Sequence, residues 1–480
     1  MLPFHDTPLE AAPVHLDRPA VIDAERTWTW REVHAASLLL ARRIDGATSI
    51  CNLCTSRLGF LVTCLAAWRN RCLLVLPPSG SSADLAAVLE DGGACPVVVG
   101  DPEAWPEPFC DPRTGVGSYL SCRPGQATAE DAALAWQPAW DAVAVRLYTS
   151  GSTGLPQPQP KTLRHLVRGA QVLARRLEQD VDGGVAALGR IVCSVPPQHM
   201  FGLECSVMLP LACGMPVLDR RPLLPADVRA AFAGGPPGAW IATPMHLRNL
   251  VESFESLPSC RVVIASTMPL SPAVARRSET LVQAPVVEIY GSTETGALAM
   301  RRTARESRWR PLEDVRLEPA AGAAFARGSH FASPATLLDE IELDAAGSFT
   351  LLGRQNDLVK IAGRRASLAG LNLLLQDLPG LEDGVFYLPA TGNPTERLCL
   401  IHSGPPLDRA ATRRWLRAHL DPVFLPRAFI RVERLPRGDS GKLRRQLLDR
   451  VFAEWQSAAP PQPGTGMRAV PEEGAVLATR

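Results

Sequence analysis

Residues 50 to 76 read ICNLCTSRLGFLVTCLAAWRNRCLLVL, and three segments of this run decide the fold. Ile50–Leu53 and Cys72–Leu76 are short apolar runs of strand length, and between them Leu58–Trp68 is apolar on every side. Arg69 stops that middle segment far below the ~20 residues needed to cross a bilayer, so it reads as a buried helix and no membrane span is expected. Strand, helix, strand at this pitch predicts parallel βαβ units whose sheets are covered on both faces.

Outward from this run the rhythm continues. Ala83–Glu90 reads as a helix and Pro96–Val99 as a strand, and strands follow at Arg190–Val195, Ala239–Ala242, Arg261–Ile264 and Val286–Ile289. After Gly353 the pattern changes to strands at Val359–Ile361, Leu398–Ile401 and Phe429–Val432 with a helix at Arg409–His419. At 480 residues the chain is longer than one hydrophobic core usually serves. The expected fold class is therefore α/β. A large N-terminal domain of covered mixed or parallel sheets (residues 1–353) precedes a hinge (354–357), a small mobile α+β cap (358–456) and an Ala/Pro/Gly-rich disordered tail (457–480).

Composition narrows the function classes. A net charge of +1 without a basic block argues against nucleic acid as a partner. Met1–Asp17 shows no positive stretch followed by an apolar core, so no secretory signal is expected and the location reads as cytoplasmic. Among the 12 cysteines, Cys51 and Cys54 form a CxxC without a second pair at zinc spacing, which reads as core packing. Three of the 50 basic residues are lysines, at positions 161, 360 and 442, and the rest are arginine. Arginine cannot copy a compact ammonium on a flexible stem. Either this is drift in an arginine-biased chain, or these three positions require the ammonium.

Four segments carry chemistry. Leu147 and Tyr148 lead, after the strand-like Ala142–Leu147, into Thr149, Ser150, Gly151, Ser152, Thr153 and Gly154. Four hydroxyls and two glycines in a row can aim N–H and O–H donors at one anion, although an ordinary polar turn has the same composition. The Walker A spacing is absent. The second segment, Glu288 to Gly296, is a strand entering a glycine-punctuated turn. Tyr290 offers a flat ring there, Gly291 and Thr293 follow, and Glu294 supplies a carboxylate of the kind Mg²⁺ takes beside phosphate oxygens. The third holds Asp339, fifteen residues before Arg354, with Gly347 between, and runs on through Asn356 to Arg365. In the fourth, Gly441 precedes Lys442 in a Pro/Gly/Ser-rich loop.

Taken together and in this order, these segments resemble the adenylate-forming superfamily of acyl- and aryl-CoA synthetases, peptide-synthetase adenylation domains and luciferases. The resemblance implies ATP and Mg²⁺ as cofactors. The loop Thr149–Gly154 would hold the β- and γ-phosphates, Tyr290 and Gly291 would line adenine, Thr293 would meet the α-phosphate, and Glu294 would bind the metal. Asp339 and Arg354 would contact ribose, Arg365 would approach phosphate, and Asn356 would occupy the pivot. Lys442 would reach the reacting carboxylate. The family's Pro-Lys-Gly after the loop is replaced by Pro156-Gln157-Pro158-Gln159-Pro160-Lys161, so the lysine arrives four places late.

For the acid, Pro196 to Gly202 occupies the family's substrate-gating position, with His199 as gate or, alternatively, as a packed core histidine. No acidic residue lies between Ser194 and Leu203, and an unpaired substrate ammonium there would be costly, so amino acids are disfavoured. The Pro197–Gly202 wording and the altered Gln-Pro exit of the phosphate loop resemble short aryl-acid:acyl-carrier-protein ligases of aryl-polyene pigment pathways. That resemblance implies an aromatic acid and a carrier-protein thiol, with CoA as the alternative acceptor and a catalytically silent nucleotide-binding sensor as a reading of another class. Arg364, Arg444 and Arg445 read as docking charges for an acidic carrier or as ordinary surface arginines.

Overall fold

The computed structural model describes residues 13–77, 85, 88, 97–101, 119–121, 134, 136–150, 156–253, 256–257, 260–320, 323–354, 358–361, 364–375, 377–389, 397–435 and 445–458. Its contacts divide the chain into two units. The first comprises Met1–Ala320, Phe325–Thr336 and Asp344–Phe349; the second comprises Ala321–Ala324, Leu337–Leu343 and Thr350–Arg480.

In the first unit, the run at 50–76 folds as its pattern predicts. Ser49–Asn52 and Leu73–Leu76 pair in parallel around the helix Arg57–Arg69. Ser56 caps that helix by accepting from the Gly59 N–H, and every residue from Arg57 to Trp68 is buried. A helix apolar all round belongs where it is covered on all sides. Val97–Gly100 and Tyr119–Ser121 extend this sheet on one side, and Val143–Ser150 then Pro156–Thr162 on the other, to six strands.

The second sheet has nine strands, in the order Arg310–Pro311, Gly296–Arg301, Val286–Ser292, Cys260–Ala265, Gly238–Ala242, Ile191–Cys193, Val217–Leu218, Pro19–Ile22, Thr27–Thr29. Its middle strands are parallel and its two ends antiparallel. The parallel strands Gly238–Ala242 and Cys260–Ala265 are almost wholly buried, and helices Pro225–Phe232, Pro244–Ser253 and Pro272–Val282 cover one face with a core built on Trp240, Leu247, Leu250 and Val263.

The second unit centres on a three-stranded sheet of Asp383–Tyr387, Cys399–Ser403 and Ala428–Arg431. Strand alternation sends Phe386, Leu400 and Phe429 into one core with Leu371, Leu375 and Leu416, and Val385, Ile401 and Ile430 into another with Leu448, Val451 and Phe452. Helices therefore cover both faces. The last helix, Arg445–Ala458, runs through Ser457, where the tail was expected to begin. The hinge residues 355–357 and the chain from 459 onward lie outside the described residues, as does most of the expected helix Ala83–Glu90.

Candidate active site

The hairpin Val286–Ser292/Gly296–Arg301 organises the site. Its turn is closed by the Ser292 N–H donating to Thr295 Oγ1 (3.2 Å) and the Thr295 N–H donating to Ser292 Oγ (3.3 Å). A Cβ on Gly291 would lie 2.1 Å from the Gly296 carbonyl, and Gly296 itself has φ +72°, so glycine is required at both corners. Glu288 anchors the strand from below: its buried carboxylate accepts from the Leu270 N–H, Arg301 and Thr303. Beyond the strand, Thr293 is half-buried and the Glu294 carboxylate is exposed.

Tyr290 is held by two aromatic rings. Its centroid lies 5.6 Å from both Trp309 and Phe349, which stack on each other at 18°, and the Arg301 guanidinium sits 4.3 Å above Trp309. Trp309 and Phe349 also pair through their backbones. Tyr290 is thus a fixed, half-buried ring able to offer a flat surface to another π system.

Three buried titratable side chains surround the same turn. Lys161, 5% exposed, donates its ammonium to the Glu294 carbonyl. Glu204 accepts from the Ala297 N–H at 3.3 Å, and His330 Nε2 meets the Ala297 carbonyl at 2.9 Å. Burial pushes Lys161 down to about 8 although Glu204 and Glu294 pull it upward. Burial likewise pushes Glu204 up to about 7 against the Ala297 N–H and Lys161. His330 is driven by burial down to about 4. Lys161 comes from the edge strand Pro156–Thr162, and Glu204 opens the π-helical turn Glu204–Met208. The π turn shifts that side chain out of ordinary helical register, a feature common at functional sites. Sequence reading singled out Lys161 but passed over Glu204, His330, Trp309 and Phe349. An acid next to the gating motif was the available signal for Glu204; the other three carry none.

The C-terminal ends of the parallel strands border this turn, the usual location of ligands in such sheets. Ser266 Oγ donates to the Ile289 carbonyl (3.0 Å), and Thr267 beside it has φ +86°, an outlier for a β-branched residue. His199 is exposed, which removes the packed-core alternative, and it stands at the N-cap of Met200–Leu203. Gln198 Nε2 fixes the preceding loop by donating to the Cys54 carbonyl at 2.7 Å. Met200 lies against the turn: its Cε would be 3.2 Å from a Cβ on Gly296.

Thr149 and Ser150 end their strand, and Ser150 pairs with Pro156, so the connection between them is closed at its base. Gly151, Ser152, Thr153 and Gly154 lie outside the described residues, as do Asn356 and Lys442. Asp339 and Arg354 belong to the second unit apart from the hairpin turn that links their strands. Asp339 opens the strand Asp339–Leu343 and Arg354 closes Phe349–Arg354, the two strands pair, and the connecting turn is built on Asp344. The two residues therefore share the open end of one hairpin. Arg365 pairs with Lys360 in the short hairpin Leu358–Ile361/Arg364–Ser367.

For magnesium, the fit rests on donor chemistry. Among the described residues no group of three or more His, Cys, Asp or Glu could cage a metal. One exposed hard carboxylate, that of Glu294, suits an ion that fills most of its shell with phosphate and water.

The model of the AMP-binding enzyme family matches residues 9–327. The chain is 28% identical over 300 residues to 4-coumarate–CoA ligase of Cereibacter sphaeroides, covering 62% of this chain and 69% of that protein. It is 26% identical over 376 residues to the p-hydroxybenzoic acid–AMP ligase FadD22 of Mycobacterium tuberculosis, covering 68% of this chain and 52% of that longer protein. In fold it is similar to the solved structure of o-succinylbenzoate CoA synthetase (MenE) from Bacillus subtilis in complex with ATP and magnesium, with a TM-score of 0.76, 19% identity, and coverage of 92% of this chain and 98% of that one.

Proposed function

The chain belongs to the AMP-binding enzyme family, and from that premise we propose that it is an AMP-forming acid–thiol ligase. It joins an aromatic, hydroxybenzoate-like acid or a related acyl acid to AMP and passes the acyl group to the phosphopantetheine thiol of an acyl carrier protein. One observation carries the reading. Lys161, on the strand that follows the hydroxyl- and glycine-rich loop, hydrogen-bonds the backbone of Glu294, 133 residues further on, so that strand and the expected metal segment are neighbours within one unit.

In this reading Thr149 to Gly154 present donors to the terminal phosphates, and the braced ring of Tyr290 with Gly291 receives the purine. Thr293 offers its hydroxyl to the α-phosphate, and Asp339 with Arg354 takes the ribose hydroxyls. Arg365 and Lys442 add positive charge where two anions, carboxylate and triphosphate, must approach each other, and His199 stands at the acid's entrance. Glu294 would hold magnesium, which when bound would offset phosphate charge. Fixed positive charge and positioning then supply the catalysis, with no covalent bond to the protein. The p-hydroxybenzoic acid–AMP ligase among its relatives supports an aromatic acid. The free cysteines among the described residues, all buried except the half-buried Cys213, suit a reducing, cytoplasmic setting.

Transfer to free CoA is the second reading, favoured by relatives named as CoA ligases. Acid-dependent ATP–pyrophosphate exchange across hydroxybenzoates and fatty acids tests the first step; silence over the whole panel would overturn the enzyme reading in favour of a sensor. Thioester formation on holo carrier protein against free CoA then selects the acceptor.

A further inference from the structure

We propose that Lys161 is a positioning residue for the magnesium carboxylate rather than a phosphate ligand, and that Lys161, Glu204 and His330 together form a buried clamp that sets where Glu294 is presented. This rests on the reading of Glu294 as the metal carboxylate. The geometry is that of a turn gripped at its backbone. Lys161 holds the carbonyl of Glu294 itself, while Glu204 and His330 take the N–H and C=O of Ala297, three residues on. Ala297 stands opposite Gly291, beside the register shift of the hairpin, where its N–H and C=O are taken by side chains. Side chains from a sheet edge, a π turn and a loop thus grip the backbone of the turn.

Stability alone does not explain these residues. Lys161 and Glu204 are both buried, at 5% and 3% exposure. Apolar residues of similar volume usually serve a core equally well or better. A buried ammonium bonded to one carbonyl is, however, a stiff support for the residue that carries it, and supports of this kind govern metal affinity in other sites. The four-residue delay of the lysine has the same explanation: five residues along the edge strand from Pro156, its side chain reaches the Glu294 turn.

The test is calorimetric titration of the full chain with ATP, with and without Mg²⁺, for the wild type, Lys161→Met and Glu294→Gln. The clamp predicts that Lys161→Met leaves affinity for free ATP unchanged and loses the gain conferred by Mg²⁺ by about tenfold or more. An equal loss with and without Mg²⁺ would mean that Lys161 touches phosphate directly and would overturn the proposal, as would no loss in either condition. If Glu294→Gln keeps the full magnesium gain, the assignment of Glu294 fails; if only Lys161→Met keeps it, the clamp alone fails. The double variant Lys161→Met/Glu204→Gln, which leaves no unpaired buried charge, covers the case where the single variant is unstable. It should fold and still lack the magnesium gain, and recovery of the full gain would also overturn the proposal.

Discussion

At the scale of single residues, the site depends on side chains that touch no ligand. Trp309, 3% exposed, is one wall of the support for Tyr290. Trp309→Ala should cost about 3–5 kcal/mol in urea unfolding, as large buried aromatic truncations do. It should also raise the KM for ATP while leaving that for the acid unchanged, whereas Tyr290→Phe keeps the ring contacts and should change neither. Unaltered KM for ATP in Trp309→Ala would separate Tyr290 from the purine. The Lys161–Glu204 pair makes a pH prediction. Glu204 binds its proton more tightly folded than unfolded, so its contribution is intact below the ordinary carboxylate range and is lost as pH rises toward about 7. Lys161 binds its proton less tightly folded, so its cost is full below about 8 and fades as pH rises toward the ordinary lysine range. Glu294, His330 and His165 are the other titratable groups facing the pair. Relative to the doubly substituted variant, the wild type should therefore lose stability between pH about 5 and 7 and regain it above about 8. Urea midpoints across pH check this, and a flat difference would mean the pair is not the source.

At the scale of elements, the strand Pro156–Thr162 is the least expected part of the fold. Prolines at 156, 158 and 160 read in sequence as a stiff exit from the loop, because proline cannot donate to a ladder. Yet successive residues of a strand turn their N–H groups to opposite sides, so prolines at every second position remove donors from one side only. Here that side is the open edge of the six-stranded sheet, and Gln157, Gln159 and Lys161 remain to pair with Val143–Ser150. The arrangement blunts an edge that would otherwise template association. Replacing Pro156, Pro158 and Pro160 together by threonine should leave the melting temperature nearly unchanged but make the protein self-associate with concentration, visible by light scattering. A monomer at all concentrations would refute this role. The contrast explains what was legible. Ser49–Asn52, Cys260–Ala265 and Arg409–His419 follow from apolar runs and periodicity, which report burial directly. The Gly291, Thr293 and Glu294 turn was legible because its residue types are fixed by a tight corner. The clamp and the aromatic support were not, because Lys161, Glu204 and His330, or Tyr290, Trp309 and Phe349, meet only after distant elements pack, and no local pattern links one member of a set to the others.

At the scale of the whole molecule, the chain divides its proposed duties between two units. The braced turn, the gate and the phosphate loop lie in the sequence of the first, and Asp339, Arg365 and Lys442 in that of the second. The two half-reactions place different demands on such a division. In the first, a carboxylate must reach a phosphorus already surrounded by anionic oxygens, and a lysine ammonium relieves that crowding. In the second, a thiol gives up its proton and attacks the acyl carbonyl, and AMP departs with the electron pair of the broken C–O bond, so bonds are made and broken at the acyl carbon and none at the phosphorus that the ammonium served. A residue needed only in the first step can be withdrawn during the second, which is what a small unit able to reorient would accomplish. Lys442→Ala should accordingly lower acid-dependent ATP–pyrophosphate exchange by about 10²–10³-fold, the usual loss for one electrostatic donor, while thioester formation from a supplied acyl adenylate proceeds near the wild-type rate. If both half-reactions fell together, Lys442 would be holding the nucleotide throughout, and a fixed arrangement of the two units would account for the chemistry better than an alternating one.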